Sequence, residues 1–242
     1  MKRVLSSIGI GSATVDTVLP KTSFTPGETV EATVEIEGGS SEQDIEQINF
    51  AMMTRYRTED GYEKAVIERF GVGENFTIDE GEHRSVPVEV TVPYGTPLTM
   101  GSVKVWLKTG LDIDWALDPK DTDHVEVTPD ARMSALFDAV EDLGFVFHST
   151  EVERASFGHS HPFVQEFEFK PRSGPFTGAL DELEVICAPS ENAVEAYLEI
   201  DRRGGLLSEM TDTDESRARL TVDGTDTDAI RSELRTLVER HA

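Results

Sequence analysis

The chain has 242 residues, of which 47 are acidic and 22 are basic, and its formal net charge is −25. Because negative charges repel each other, this surplus argues against nucleic acid and against an anionic membrane surface as partners. A single cysteine allows no internal disulfide, and no segment approaches the ~20 apolar residues that a transmembrane helix needs. We therefore expect a cytoplasmic protein without a membrane span, long enough for one large or two smaller domains.

Lysine is scarce, since only 7 of the 22 basic residues are Lys and 15 are Arg. Many carboxylates and few lysines suit a cytoplasm of molar salt, where the repulsion between charges is screened within about 3 Å. The surplus is spread along the chain and is not gathered in one tail. This pattern favours a halophilic protein of the haloarchaeal type. The alternative is an ordinary acidic protein from a mesophile.

The first half of the chain alternates between apolar and polar residues with a period of two, as half-buried antiparallel strands do. Apolar residues share one face in the runs 30–36, 48–56 and 86–92. Pro87 lies on the opposite face of the third run, which predicts an edge strand or a bulge because proline cannot donate a ladder hydrogen bond. The turn signals between these runs predict an antiparallel β-sandwich of about seven strands.

Residues 101–129 predict two more strands joined by a loop. The first strand has its apolar face around Val105 and the second around Val125. Between them, residues 112–123 are rich in aspartate and are interrupted by Pro119, which predicts a decorated turn.

A helix is predicted next, with Thr128 as its N-cap, Pro129 at its first position and Gly144 as its stop. Because it interrupts a long series of strands, we interpret it as the joint between two domains. The predicted boundaries are 1–128 for an N-terminal β-sandwich, 129–143 for the linking helix, and 144–242 for a smaller β-domain with a C-terminal helix.

The terminal helix is predicted to be capped near Thr225 or Asp226. It carries one apolar stripe, which consists of Ile230, Leu234, Leu237 and Val238. A small sheet leaves part of such a stripe uncovered, so we predict that these residues contact a second copy of the chain in a homodimer.

The acidic loop is the first candidate for a site. Its carboxylates are of the type that Ca²⁺ binds, and they are Asp112, Asp114, Asp118, Asp121 and Asp123. The loop lacks the central Gly and the closing Glu of an EF-hand, and Asp is also common in turns. We expect no tight metal site, and keep a metal-dependent binding module as the alternative function.

Other candidates concern partners. Trp115 either packs onto the sheet or serves as a contact for a partner protein. Arg202 and Arg203 either offer a pair of cations to an anionic partner or form a solvated turn.

Two residue types that often carry chemistry have simpler interpretations here. His159 and His161 alternate as metal ligands can, but no third ligand lies nearby in the sequence, which favours a loop. Cys187 shares a face with apolar residues, as a buried cysteine does. The chain has neither a phosphate-binding glycine loop nor a Gly-x-Ser-x-Gly motif. We predict no catalytic residue and no cofactor.

Six blocks of sequence, taken in order, resemble a known family. They are GIGSATVDTVL at 9–19, PGETV at 26–30, VPYGTP at 92–97, the whole of 101–129, PFVQEFEFKPRSGPFTGALDELEV at 162–185, and EIDRRGG at 199–205. Through these blocks the chain resembles the sporulation-control protein family, the stage-zero M group, and residues 211–242 match it least. The resemblance implies a mostly β, two-domain arrestin-like scaffold. It also implies a non-catalytic adaptor that regulates by binding other proteins.

Overall fold

The structure, a computed structural model, describes residues 12–73, 75–113, 120–155, 161–202 and 217–241. The chain divides into two compact units. The first comprises Met1–Arg55, Lys64–Thr96 and Lys104–Val127, and the second comprises Tyr56–Glu63, Pro97–Val103 and Thr128–Ala242. Two short segments from the first half of the sequence therefore belong to the second unit.

In its described part before residue 128, the chain forms nine strands. They are β1 (Thr14–Val18), β2 (Ser23–Phe24), β3 (Thr29–Glu37), β4 (Gln43–Thr58), β5 (Gly61–Val72), β6 (Phe76–Ile78), β7 (His83–Thr91), β8 (Val105–Ile113) and β9 (Lys120–Val127). The predicted alternation is confirmed in β3 and β4, where every second side chain is buried.

The first unit is a sandwich of mainly antiparallel strands, as the alternation predicts, and only β2 pairs parallel with β9 among its described strands. One sheet has the order β1-β3-β7. In the other, β4 pairs with β8 and β8 with β9, while β5 and β6 pair with β4 and β2 pairs with β9. Side chains from both sheets, such as Val34 on β3 and Phe50 on β4, form its core.

Pro87 lies on an edge strand. Among the described strands, its strand β7 hydrogen-bonds only with β3, where Pro87 is opposite Thr33. The position confirms the predicted edge, because a proline in a central strand would break the ladder.

The second unit contains a sheet and two helices. Its elements are α1 (Ala131–Asp142), β10 (Phe145–Arg154), β11 (Phe163–Pro171), β12 (Leu180–Pro189), β13 (Val194–Arg202), β14 (Arg217–Val222) and α2 (Thr227–His241). The strands pair antiparallel with their sequence neighbours, in the order β14-β13-β12-β11-β10. The mostly β fold with two helices agrees with the predicted fold class.

The two helices cover one face of this sheet. The ring centroid of Phe137 on α1 lies 5.0 Å from that of Phe167 and 5.8 Å from that of Phe169, both on β11. α2 packs against α1 and β14, and Arg231 on α2 donates to Asp142 of α1 at 2.9 Å. The inner face of the sheet is therefore closed by helices.

The start of α1 differs from the prediction. Its N-cap is Asp130 and not Thr128, because the Asp130 carboxylate accepts the backbone N–H of Met133 at 2.8 Å. A carboxylate satisfies an orphan donor of the first turn well, so the helix begins at Ala131. The predicted stop is confirmed: Gly144 has a φ of 93°, and a Cβ there would collide with the carbonyl oxygen of Ser173.

The cap of α2 is one of the two predicted residues. The Asp226 carboxylate accepts the N–H groups of Asp228 and Ala229, both at 3.1 Å.

Candidate functional site

The predicted acidic loop is shorter than its sequence suggests. β8 continues to Ile113 and β9 begins at Lys120, so Asp112, Asp121 and Asp123 lie on strands and not in a turn. The reason is the pairing of the two strands, which extends to Gly110 opposite Lys120. Asp114, Trp115 and Asp118 lie outside the described residues.

Asp121 is a structural acceptor inside the sandwich. Its carboxylate accepts the backbone N–H of Thr17 on β1 at 2.9 Å and that of Thr122 at 2.6 Å. The Thr17 hydroxyl in turn hydrogen-bonds the Thr109 hydroxyl of β8 at 2.6 Å. Since Asp121 is only 7% exposed, this carboxylate holds the two sheets together and has little access to an ion in solvent.

Asp123 lies on the same side of β9 as Asp121. Burial, and then the charge of Asp121, raise the pKa of the Asp123 carboxyl. Within the described residues, no group of three or more His, Cys, Asp and Glu side chains is arranged to hold a metal ion.

The opposite face of the same strands is basic. Lys120 alternates with Asp121 and therefore points away from the core. The register places Ala51 of β4 opposite Lys108 of β8, and Gly110 of β8 opposite Lys120. Arg69 of β5 lines the same space, which has a volume of about 630 Å³. We call this space the basic groove: Arg69, Lys108 and Lys120 around a floor of Ala51 and Gly110.

Two cations of the basic groove stand apart from carboxylates. Among the described residues, no carboxylate oxygen lies within 4.0 Å of the side-chain nitrogens of Arg69 or Lys108. Many other cations of the chain are paired; for example, Lys21 is 2.6 Å from Glu28, and Arg219 is 2.6 Å from Glu195. The twelve residues that line the groove include no Asp, Glu, His or Cys, so its chemistry is suited to binding an anion and offers neither a carboxylate or imidazole base nor a thiol nucleophile.

Sequence reasoning missed this groove. Arg69, Lys108 and Lys120 are far apart in the chain, and only the strand register brings them together. One signal was present: 3 of the 7 lysines, at 104, 108 and 120, fall within one stretch of 17 residues.

The second unit carries the opposite charge on its open sheet face. Glu184 of β12 lies opposite Glu168 of β11 on one side and Glu199 of β13 on the other. Burial, and then repulsion from Glu166 and Glu199, raise the pKa of Glu184 to about 7. We call Glu168, Glu184 and Glu199 the acidic face.

A neighbouring carboxyl shows the opposite shift. Although burial opposes it, hydrogen bonds from Lys170 and Ser149 lower the pKa of Glu168 to about 2. The Lys170 ammonium lies 2.9 Å from the Glu168 carboxylate. Cations at the margin therefore compensate part of the acidic face, and its centre at Glu184 titrates near neutrality.

The remaining predicted residues are not brought together. The His161 ring stacks on Phe163 with centroids 5.2 Å apart, and His159 lies outside the described residues. Burial raises the pKa of the Cys187 thiol to about 12, which leaves little of the reactive thiolate. Arg202 ends β13 opposite Leu180, and Arg203 lies outside the described residues.

The predicted dimer contacts lie in the second unit. Ile230, Leu234 and Val238 are buried within a single chain, and Leu237 is half-buried. The stripe therefore packs within its own chain, against α1 and β14.

A sandwich unit and a helix-covered sheet unit together define a mostly β protein of two units. A family model described as SpoOM protein matches residues 1–204. The sporulation-control protein Spo0M of Bacillus subtilis (strain 168) is 37% identical over 253 residues, covering 100% of this chain and 98% of that protein. The crystal structure of Spo0M from Bacillus subtilis has a TM-score of 0.85 and 38% identity, covering 96% of this chain and 100% of that one. The chain belongs to the Spo0M sporulation-control family.

Among the described residues, no helix could span a membrane. Neither α1 nor α2 is long and apolar enough to cross a bilayer.

Proposed function

We propose that this chain is a non-catalytic adaptor of the sporulation-control family, which regulates by binding other proteins. The observation that carries the proposal is the basic groove. It is a concave surface whose cations Arg69 and Lys108 have no carboxylate within 4.0 Å among the described residues, and its lining includes no Asp, Glu, His or Cys side chain. Such a surface fits recognition better than catalysis.

The cellular setting is part of the proposal. The named relative is a sporulation-control protein of Bacillus subtilis. The charge of −25 favours a cytoplasm of high salt for this chain. In a salt-loving cell that makes no spores, we propose a general adaptor or stress-related role in the same compartment.

Affinity capture tests the adaptor role. The full-length protein is immobilised and exposed to native lysate in 2 M KCl, with chemical cross-linking before washing. An unrelated acidic protein of similar net charge serves as the control. We expect one or a few proteins to be enriched stoichiometrically, and the reciprocal capture to recover this chain. Enrichment no greater than on the control would contradict the proposal.

The homodimer also stays a proposal, and the second unit suggests where its contact lies. Because Leu234 and Val238 are buried in the single chain, we propose the edge of β14, which pairs only with β13 among the described strands. Light scattering in high salt measures the mass at tens of micromolar. A dimer that dissociates when Thr221→Pro disrupts β14, in a variant that keeps the wild-type Tm, supports this contact, and a monomeric wild type rules it out.

A further inference from the structure

We propose that the basic groove binds an extended acidic peptide segment of a partner protein, whose carboxylates at alternate positions contact Arg69, Lys108 and Lys120. The inference rests on the proposed adaptor function and specifies the chemistry of the partner.

The charges of the groove and of an acidic segment are complementary. The chain has 47 acidic and 22 basic residues, and many cations outside the groove lie in ion pairs. In the groove, Arg69 and Lys108 have no carboxylate within 4.0 Å among the described residues. Their charges are therefore free to pair with a ligand, and charge-assisted hydrogen bonds to carboxylates are the strong kind.

The spacing of the two lysines fits an extended peptide. Lys108 lies opposite Thr122, and Lys120 lies opposite Gly110, so the two lysines are diagonal neighbours on adjacent strands, about 7–8 Å apart. In an extended peptide, side chains two positions apart are separated by about 6.6–6.8 Å. Two carboxylates at alternate positions therefore match the two lysines. Arg69 lies on β5, which is separated from β8 by β4. Two strand spacings place β5 about 10 Å from β8, so Arg69 can reach a third carboxylate of the peptide.

The floor of the groove leaves room for a peptide backbone. Ala51 and Gly110 have small or no side chains, so a peptide backbone can approach the sheet closely. Met53 and Phe70 also line the groove and offer apolar contact to a residue between the acidic ones. The lining thus combines a few cations with apolar surface, as specific peptide sites do.

A nucleic acid fits less well. Double-stranded DNA carries about one negative charge per 1.7 Å, so its charges would extend beyond the groove over a chain of net charge −25. A short peptide presents its few charges only where the cations are.

Fluorescence anisotropy on the full-length protein tests the inference. The probe is a fluorescein-labelled peptide, Glu-Ser-Glu-Leu-Glu-Ser-Glu, in the lowest KCl concentration at which the protein gives a cooperative melting transition. The variants are Arg69→Glu and Lys108→Glu. The matched control is Lys64→Glu, which changes the charge equally on an exposed residue of β5 outside the groove lining.

We expect each groove variant to weaken binding about five- to tenfold, the double variant to abolish it, and Lys64→Glu to change it less than twofold. A peptide with Gln in place of Glu should not bind. Thermal melting checks folding. If Lys108→Glu melts early, Lys108→Gln takes its place and should weaken binding by a smaller factor in the same direction.

Several results would overturn the inference. One is that all three charge reversals weaken peptide binding equally. Another is that the wild type does not bind the peptide. A third is that the wild type binds an oligothymidylate of seven nucleotides more tightly than the peptide. A change in the chain's own oligomeric state in the groove variants, without peptide binding, would assign the groove to a second copy of the chain.

The adaptor function is tested separately. If lysate partners are captured equally by the wild type and by the Arg69→Glu/Lys108→Glu double variant, the adaptor survives and the groove is not its site. If the peptide binds as expected but capture yields no partner, the groove survives and the adaptor function fails.

Discussion

One outer sheet face of the first unit and the open sheet face of the second unit carry opposite charge. On the first unit, the outward residues of β8 and β9 include Lys108 and Lys120 and line a groove without a carboxylate. On the second unit, Glu168, Glu184 and Glu199 stand side by side on adjacent strands. Both are antiparallel sheets with one buried face and one open face, so the difference lies in the choice of outward residues alone.

The contrast separates two ways of placing charge. Like charges directly opposite each other destabilise a sheet, and the acidic face contains such pairs. Arg217 lies 3.2 Å from Glu199 and Lys170 lies 2.9 Å from Glu168, whereas Glu184 sits between two carboxylates. The basic groove has the reverse arrangement, since two of its cations, Arg69 and Lys108, have no carboxylate within 4.0 Å among the described residues. Uneven charge in a chain of net charge −25 thus suggests that the groove is kept basic for a ligand.

The units also differ in what covers the inner face of the sheet, which is a second sheet in the first unit and two helices in the second. A substitution in the helix-covered core should have the largest effect on stability. Leu234 on α2 is fully buried, in a helix that packs on α1 and β14. We expect Leu234→Ala to lower the free energy of unfolding of the second unit by about 2–5 kcal/mol. Chemical denaturation followed by circular dichroism measures it.

The exposed neighbour Glu233→Ala is the control for that substitution and should change stability by less than about 0.5 kcal/mol. Equal effects of the two substitutions would contradict the packing described for α2.

Salt should have the next largest effect. Because the chain repels itself at low ionic strength, we expect the Tm to rise steeply between 0.1 M and 2 M KCl. A gain of about 2 kcal/mol corresponds to roughly 4–8 °C at this chain length. Differential scanning calorimetry measures it, and a flat or falling curve would remove the halophilic interpretation.

Salt can also be used to separate the two faces. Glu184→Gln, on the acidic face, should make the Tm less dependent on KCl, whereas Lys108→Gln, on the basic groove, should leave that dependence unchanged or increase it.

Much of this fold could be predicted because its signals are local. The alternation in β3 and β4 identifies buried faces, and Pro87 identifies an edge from one residue. The prediction failed where a local signal allowed two structures. Thr128 and Asp130 can both cap a helix, and in the structure the Asp130 carboxylate is the N-cap. The aspartates 112–123 suggested a turn because Asp favours turns, but pairing with β8 kept Asp121 and Asp123 in a strand.

The basic groove could not be predicted in the same way. Its cations come from β5, β8 and β9, and no local pattern specifies that Lys108 stands opposite Ala51. Register is a tertiary property, set by the packing of the other face. The apolar stripe of α2 illustrates the same limit. The sequence pattern showed that Leu234 must be buried, but not that α1 and β14 of the same chain bury it.

A smaller effect should come from pH. The pKa of Glu184 is raised to about 7, so the folded state binds more protons than the unfolded state between about pH 4.5 and 7. Stability should therefore fall as the pH rises through this window. Carboxyls with lowered pKa values, such as Glu195 beside Arg219, lose their contribution to stability only below this pH window.

We expect the wild-type Tm to be higher at pH 5.5 than at pH 8. Glu184→Gln should raise the Tm at pH 8 by about 2 °C, because solvent screening leaves less than about 1 kcal/mol, and should flatten the slope. Glu126→Gln, an exposed carboxyl of β9, is the matched control and should do neither. A Tm that rises with pH in the wild type would refute the assignment.

Metal ions should have the smallest effect. The Asp121 carboxylate is occupied by the N–H groups of Thr17 and Thr122, and the raised pKa of Asp123 means that a proton competes with any cation there. We expect calorimetric titration of chelator-treated protein with Ca²⁺, Mg²⁺ or Zn²⁺ to give no saturable heat below about 0.1 mM, a limit that covers the affinities of calcium buffers and calcium sensors. Addition of each ion should leave the Tm unchanged within experimental error.

A saturable Ca²⁺ signal that Asp114→Ala and Asp118→Ala each abolish would favour the metal-dependent module instead. A signal removed only by Asp112→Ala would place the ion at the exposed end of β8.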